Sequence, residues 1–268
     1  MKVFISCDIE GTATTTRWEQ TYTAPEKQSW SAPFQAQMTK EVVAACNGAI
    51  RAGATEILVR DAHGAACNID PDALPECAKL KRNWSGHPYA MVDGIDPTFD
   101  AAIFIGYHSA AGREGSPLSH TVRTSMNYIK VNGKKYSEFD FYSAACALEG
   151  VPSVFLSGDK MLCEDSAGIH PCLKTVAVKE GHGGSTTSIS PSLACKKIEE
   201  GVYEALKQDF KGKLMTLPEH YTMEVSYKDH TVATKMSYFP GFSKKDDNTI
   251  VTETDNLVDL LTAIRFIL

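Results

Sequence analysis

No stretch of this sequence reaches the roughly 18 consecutive apolar residues that a membrane-crossing helix requires, which excludes a helical span. Nor does a basic segment lead into a long apolar run at the start: the first strand-like run begins at Lys2 and is interrupted by Asp8, so no signal peptide is expected. Clustered Lys and Arg are also missing. With a net charge of −6 the chain has no electrostatic footprint for nucleic acid, and an acidic membrane surface is an equally poor partner. The eight cysteines, at 7, 46, 67, 77, 146, 163, 172 and 195, contain no Cys-x-x-Cys pair. They fall mostly inside apolar or helical patterns, so reduced core residues in a cytoplasmic protein are expected rather than a disulfide framework.

What is present is an ordinary soluble composition, 268 residues of which 43% are hydrophobic, ample for a sizeable core. Short apolar runs at Val3–Cys7, Glu56–Arg60, Ala101–Ile105, Ser153–Leu156 and Thr175–Val178 alternate with helical spacing at Met38–Ala52, Glu138–Leu148 and Pro191–Lys207. That alternation predicts an α/β fold, a mostly parallel sheet flanked by helices. Gly53 ends the first helix, Gly150 and Pro152 the second, and Ser190-Pro191 opens the third. One element breaks the rhythm. From Met126 to Tyr136 the pattern alternates around Asn132-Gly133, the mark of an inserted β-hairpin. Beyond Pro218, strand-like runs at Tyr221–Tyr227 and Thr249–Thr252 and a closing helix over Asp255–Ile267 suggest a smaller C-terminal α+β lobe. With no repeat and no low-complexity linker, residues 1–268 read as one unit, an α/β core over 1–210 and the lobe over 211–268.

The first strand ends in Asp8-Ile9-Glu10-Gly11. Residues i and i+2 of a strand point the same way, so both carboxylates can converge just beyond the sheet edge while Gly11 lets the chain turn aside. Alone, such a pair is an ordinary acidic turn. Two further strands end in the same manner, one in Asp61-Ala62-His63-Gly64 and the other in Gly106-Tyr107-His108. In an open parallel sheet the carboxyl ends of the strands form the ligand crevice, so Asp8, Glu10, His63 and His108 arrive at one rim, and two imidazoles with an acidic pair suit a metal. Cys7 faces away from Asp8 and reads as packing. On pattern alone Glu138 is an acid in the first turn of a helix. His120, between Ser119 and Thr121, reads as a loop residue whose neighbouring hydroxyls could hydrogen-bond around it.

Taken in order, Asp8-Ile9-Glu10-Gly11, Asp61-Ala62-His63-Gly64, Gly106-Tyr107-His108, Ser119-His120-Thr121 and Asn132-Gly133-Lys134 leading to Ser137-Glu138 resemble the D-aminopeptidase family of zinc metallopeptidases. The likeness runs from residue 1 to about 200 and continues more weakly beyond. It implies a binuclear zinc site with Asp8 as the bridging carboxylate and Glu10, His63, His108 and Glu138 as the other ligands. It also implies His120 as the catalytic histidine, a short peptide as substrate, and a ring-shaped homo-oligomer, a decamer, with active sites facing an internal chamber. The charge count agrees with two metals: three clustered carboxylates in a low-dielectric crevice are better compensated by two Zn²⁺ than by one. Manganese or cobalt would suit the same donors.

The implied activity is removal of an N-terminal residue, of D configuration, from short peptides or amides. His120 as nucleophile, acid/base or oxyanion stabiliser remains open at this stage. So do two other classes of function: a binuclear hydrolase of another amide or a phosphoester, and a metal-dependent binding protein without catalysis. Two features depart from the pattern, Ala62 where the family often has Ser and the stretch Thr12–Thr16 with Trp18. Both bear on substrate preference more than on metal binding. Gly181-His182-Gly183-Gly184-Ser185 lacks the lysine of a phosphate loop and reads as a flexible turn, and His87, His170, His220 and His230 read as surface residues.

Overall fold

The apolar runs at the start, middle and centre of the chain are strands because both faces of the sheet they form are covered: Lys2–Cys7, Ala101–Tyr107 and Ser153–Asp159 bury nearly every residue. The computed structural model describes residues 1–23 and 28–268. In chain order its elements are β1 (Lys2–Cys7), α1 (Gln28–Ala52), β2 (Glu56–Asp61), β3 (Ala78–Lys81), β4 (Ala101–Tyr107), β5 (Met126–Val131), β6 (Lys134–Lys135) and α2 (Glu138–Leu148). They continue with β7 (Ser153–Asp159), α3 (Lys160–Ser166), β8 (Lys174–His182), β9 (Ser185–Ser188), α4 (Pro191–Lys207), β10 (Tyr221–Tyr227), α5 (His230–Met236), β11 (Ser243–Lys244), β12 (Thr249–Thr254) and α6 (Leu257–Ile267). The expected α/β class is borne out. The first helix begins ten residues before Met38, and Pro33 lies within it.

The main sheet has the order β3-β2-β1-β4-β7-β8-β9, parallel except for the β8–β9 hairpin. From β1 the chain winds outward to β2 and β3, then returns to the opposite side of β1 as β4. The winding direction therefore reverses between β1 and β4, the place where such sheets open a crevice. The register makes the three strand ends level, since Cys7 is opposite both Asp61 and Ile105.

Successive residues of β1 serve opposite layers. Val3, Ile5 and Cys7 pack with α1 and α4, whereas Phe4 joins a cluster containing Phe104, Leu156, Phe139 of α2 and Leu261 of α6. That second cluster also holds Ile129, Met223, Val225 and Ile250, which belong to an antiparallel sheet of order β11-β12-β10-β5-β6. The hairpin thus joins the C-terminal strands, β5 pairing with β10, and two separate stretches of chain build one layer over the main sheet. All eight cysteines are free; Cys67 is exposed, while Cys77 and Cys195 are half-buried. Among the described residues no helix is long and apolar enough to cross a membrane.

Gly11 and Gly106 let the two strand ends at the reversal come together. The Gly11 amide donates to the Gly106 carbonyl at 2.7 Å, and the Asp8 amide to that of Ile105 at 2.8 Å. A Cβ on Gly11 would lie 1.7 Å from the Tyr107 carbonyl oxygen, and one on Gly106, where φ is +71°, would lie 2.3 Å from that of Asp8. Backbone cannot yield as a side-chain tip can. We expect Gly11→Ala to lower unfolding free energy by more than about 2 kcal/mol in urea denaturation. Gly184→Ala, at an exposed glycine with nothing within 4 Å of the added Cβ, should change it by less than about 0.5 kcal/mol.

Candidate metal centre

Asp8 continues β1 at the reversal, with the chain leaving β2 on one side and β4 on the other, and its two oxygens divide between those neighbours. His63 Nδ1 lies 3.2 Å from Asp8 Oδ1, and His108 Nε2 lies 3.4 Å from Asp8 Oδ2. Glu10 Oε2 is 2.9 Å from His63 Nδ1, and Glu138 Oε2 is 3.3 Å from His108 Nε2. His120 adds a third ring, its Nε2 3.6 Å from Glu138 Oε1, stacked on His108 with centroids 4.3 Å apart. Glu138 is the first residue of α2, whose capping box joins Ser137 and Asp140 and fixes the angle at which the carboxylate leaves the helix. The structure therefore brings together all six residues singled out from the sequence.

The backbone selects which nitrogen each imidazole presents. His63 Nε2 lies 2.7 Å from the Thr21 carbonyl oxygen, His108 Nδ1 3.0 Å from that of Ser109, and His120 Nδ1 2.9 Å from that of Leu118. A ring nitrogen facing a carbonyl must carry a proton, so in each neutral ring the opposite nitrogen is a lone pair aimed at the carboxylates. The supporting loops are fixed in turn. Asp61, fully buried, accepts from the Asn68 and Ile69 amides at 2.5 and 2.9 Å, and Asn68 Nδ2 donates to the His63 carbonyl at 2.8 Å. Asp159 accepts from the Ser109 amide and hydroxyl, both at 2.6 Å, directly after His108.

The donor set fits divalent metal. Ligand atoms of Asp8, Glu10 and His108 lie within 4.8 Å of one another, as do those of His108, His120 and Glu138. Glu10 Oε2 and His108 Nε2 are buried without a hydrogen bond of acceptable geometry, an arrangement that protein interiors avoid unless a cation completes it. Burial alone would raise the Asp8 pKa, yet the His108 and His63 rings hold it well below the usual carboxylate range. Burial would likewise depress both histidines, but Glu10 with Asp8 lifts His63, and Glu138 with Asp8 lifts His108, each well above the ordinary value. The acids thus hold protons on the rings, and a cation must displace them.

Some sequence expectations change. Ser119 and Thr121 do not hydrogen-bond His120: their hydroxyls donate to the backbone carbonyls of Ser116 and Tyr136, shaping the loop instead. His170 is not a surface residue. It is 5% exposed, hydrogen-bonds Ser143 through Nε2 at 3.0 Å, and burial lowers its pKa to about 4, so it is a neutral core histidine. His87, His220 and His230 are exposed. Within Gly181–Ser185 only Gly183 and Gly184 form a turn; Gly181 and His182 end β8 and Ser185 begins β9.

The signature of peptidase family M55, described as D-aminopeptidase, matches residues 1–266. The chain belongs to the D-aminopeptidase family. It is accordingly a hydrolase acting on peptide bonds. It is similar to the D-aminopeptidase of Bacillus subtilis strain 168, 26% identical over 253 residues that cover 94% of this chain and 90% of that protein. The fold matches that of the Zn-dependent D-aminopeptidase DppA from Bacillus subtilis, described as a self-compartmentalizing protease, with a TM-score of 0.90 at 23% identity, covering 100% of this chain and 96% of that one.

The cluster opens into a cavity of about 320 Å³, lined also by Trp84, Met91, Tyr142 and Arg265. Sequence reading passed over these wall residues because each sits in a loop or helix with no motif of its own. Trp18, noted only as a departure from the family pattern, packs edge-on against His120 at 5.3 Å. Because metal must displace ring protons, zinc affinity is expected to fall as pH falls through the raised pKa values of His63 and His108, so that the loss is already under way at neutrality, by about tenfold per pH unit for each proton released. Equilibrium dialysis against zinc at several pH values measures this; a flat profile contradicts it.

Proposed function

We propose that the chain is a zinc-dependent aminopeptidase that releases an N-terminal residue of D configuration from short peptides, using two zinc ions per chain. Supporting this is the arrangement of three imidazoles, each with one nitrogen tied to a backbone carbonyl and the other turned to a cluster of buried carboxylates. Asp8 presents one oxygen toward His63 and Glu10 and the other toward His108 and Glu138, which suits a carboxylate shared between two cations. Bound there, zinc supplies Lewis acidity toward the scissile carbonyl and a water acidic enough to attack near neutral pH.

His120 is assigned the proton transfers. With Nδ1–H held by the Leu118 carbonyl, Nε2 of the neutral ring is free to accept a proton from the attacking water and return it to the departing amine. Trp18 and His108 pack on the ring and hold its plane. The D configuration rests on the family's description, and assembly into a closed homo-oligomer with an inner chamber rests on the described character of the similar fold.

His120→Ala is expected to lower kcat on D-alanyl p-nitroanilide by at least about a hundredfold with zinc content unchanged; full turnover at normal zinc content refutes the role. Elemental analysis should find near two zinc per chain. Chelation should abolish activity and zinc restore it, whereas p-nitrophenyl phosphate should remain uncleaved. A monomer on size-exclusion chromatography would remove the assembly proposal and leave the metal centre untouched.

A further inference from the structure

The cavity contains three acidic side chains, Asp8, Glu10 and Glu138, and all three belong to the metal centre. It also contains Arg123 and Arg265, which make no ion pair among the described residues. Arg123 is exposed to solvent, where a lone cation is well hydrated. Arg265 is not. It projects from the last turn of α6, partly buried, and its Nε is sealed from solvent with no hydrogen-bond partner. A buried guanidinium donor left unpaired is costly, and its planar fork is shaped to take a carboxylate.

Its surroundings hold it in place without satisfying it. The Trp84 ring lies 5.7 Å from the guanidinium carbon and is itself fixed, its indole N–H donating to the Gly64 carbonyl at 2.7 Å. Arg60 lies 4.5 Å from the same indole and donates through Nε and Nη1 to the carbonyls of Ala90 and Asn83 at 3.2 and 2.6 Å, with its Nη2 buried and unpaired. Of the two arginines on Trp84, Arg265 alone lines the cavity.

Tyr142 gives the spacing. It lies four residues after Glu138 on α2, one turn along the same face and about 6 Å from it. Burial raises its hydroxyl pKa, and the charges of Glu138 and Arg265 then act on it in opposite directions, so the phenol stands within electrostatic reach of both. In a dipeptide cleaved at its single peptide bond, one residue of about 3.5 Å separates the scissile carbon from the terminal carboxylate. A charge-assisted hydrogen bond of about 2.8 Å from that carboxylate covers the remaining distance.

We propose that Arg265, with Tyr142 beside it, is the subsite for the free C-terminal carboxylate of a dipeptide substrate. The assignment rests on the aminopeptidase reading above and adds a length rule to it: peptides whose carboxylate falls elsewhere, or is blocked, lose this contact. Arg265 comes from α6, an element that contributes none of the residues proposed to hold metal.

The test compares kcat/KM for D-alanyl-D-alanine and D-alanyl-D-alaninamide using the zinc-loaded full chain. Wild type should favour the free acid by about tenfold to a hundredfold, the difference lying mainly in KM. Arg265→Gln should bring the ratio near one, and Arg265→Lys should restore part of it. Equal rates for acid and amide in wild type, or an unchanged ratio in Arg265→Gln, would overturn the proposal. The wild-type ratio needs no variant, so misfolding of Arg265→Gln leaves the test standing. D-alanyl p-nitroanilide separates the two levels of argument: cleavage of the anilide without preference for the acid sinks the subsite alone, whereas cleavage of none of the three substrates sinks the aminopeptidase reading and the subsite with it.

Discussion

Three buried carboxylates that face one another across the carboxyl end of a parallel sheet repel, and much of the surrounding structure answers that repulsion. Asp8, Glu10 and Glu138 are each at most 3% exposed, too dry for water to screen them. Imidazoles are interleaved between them, and backbone carbonyls dictate which face of each ring meets the acids. An arrangement so concentrated in negative charge is difficult to account for as fold stabilisation, since apolar residues of similar volume would pack there at less cost. It is readily accounted for as a cation site.

Holding the acids in position requires support away from the cluster. Lys179 of β8 is 3% exposed and donates to the carbonyls of Glu10 and Thr15, fixing the segment that follows the acidic pair. From the other side Glu41 of α1 accepts the Ala13 amide at 2.9 Å and the Gln37 side chain at 2.9 Å. Burial lowers the lysine pKa to about 8 and raises that of the glutamate to about 7, so each is less firmly charged than on a surface. Their hydrogen bonds to backbone are what make these groups tolerable inside the protein. The loop after β1 is thus clamped between the two helical and strand layers, and Gly11 is the point where no side chain can intervene.

Much of this was legible in the sequence because it depends on local rules. Apolar runs bounded by glycine gave the central strands, Asn132-Gly133 gave the hairpin, and Ser137 and Ser190 gave helix starts that coincide with α2 and α4. Asp8, Glu10, His63 and His108 followed from one topological rule about strand ends. Glu138 did not: a first-turn acid is ordinary, and only the order of motifs singled it out. The pairing of β5 with β10 was hidden, since those strands are about a hundred residues apart and neither side of the contact has a local signature. His170 misled for a related reason. A histidine followed by proline looks solvent-facing, and its buried hydrogen bond to Ser143 is a product of tertiary packing.

The division between what was visible and what was hidden follows a division in the molecule. Four of the residues proposed to bind metal, Asp8, Glu10, His63 and His108, gather where the main sheet reverses direction, so their positions are tied to strand register and to two close backbone approaches; the fifth, Glu138, is carried by α2. Arg265, Trp84 and Tyr142 are tied instead to the packing of α6, a loop and α2 around that centre. Substitutions in the first group disturb the charge balance of the cluster and the backbone beneath it. Changes in the second group alter the cavity wall while leaving the strand ends level. A fold built this way can keep one centre and vary the substrates it admits, because the strand ends proposed to hold metal and most of the cavity wall answer to different constraints, with α2 alone serving both.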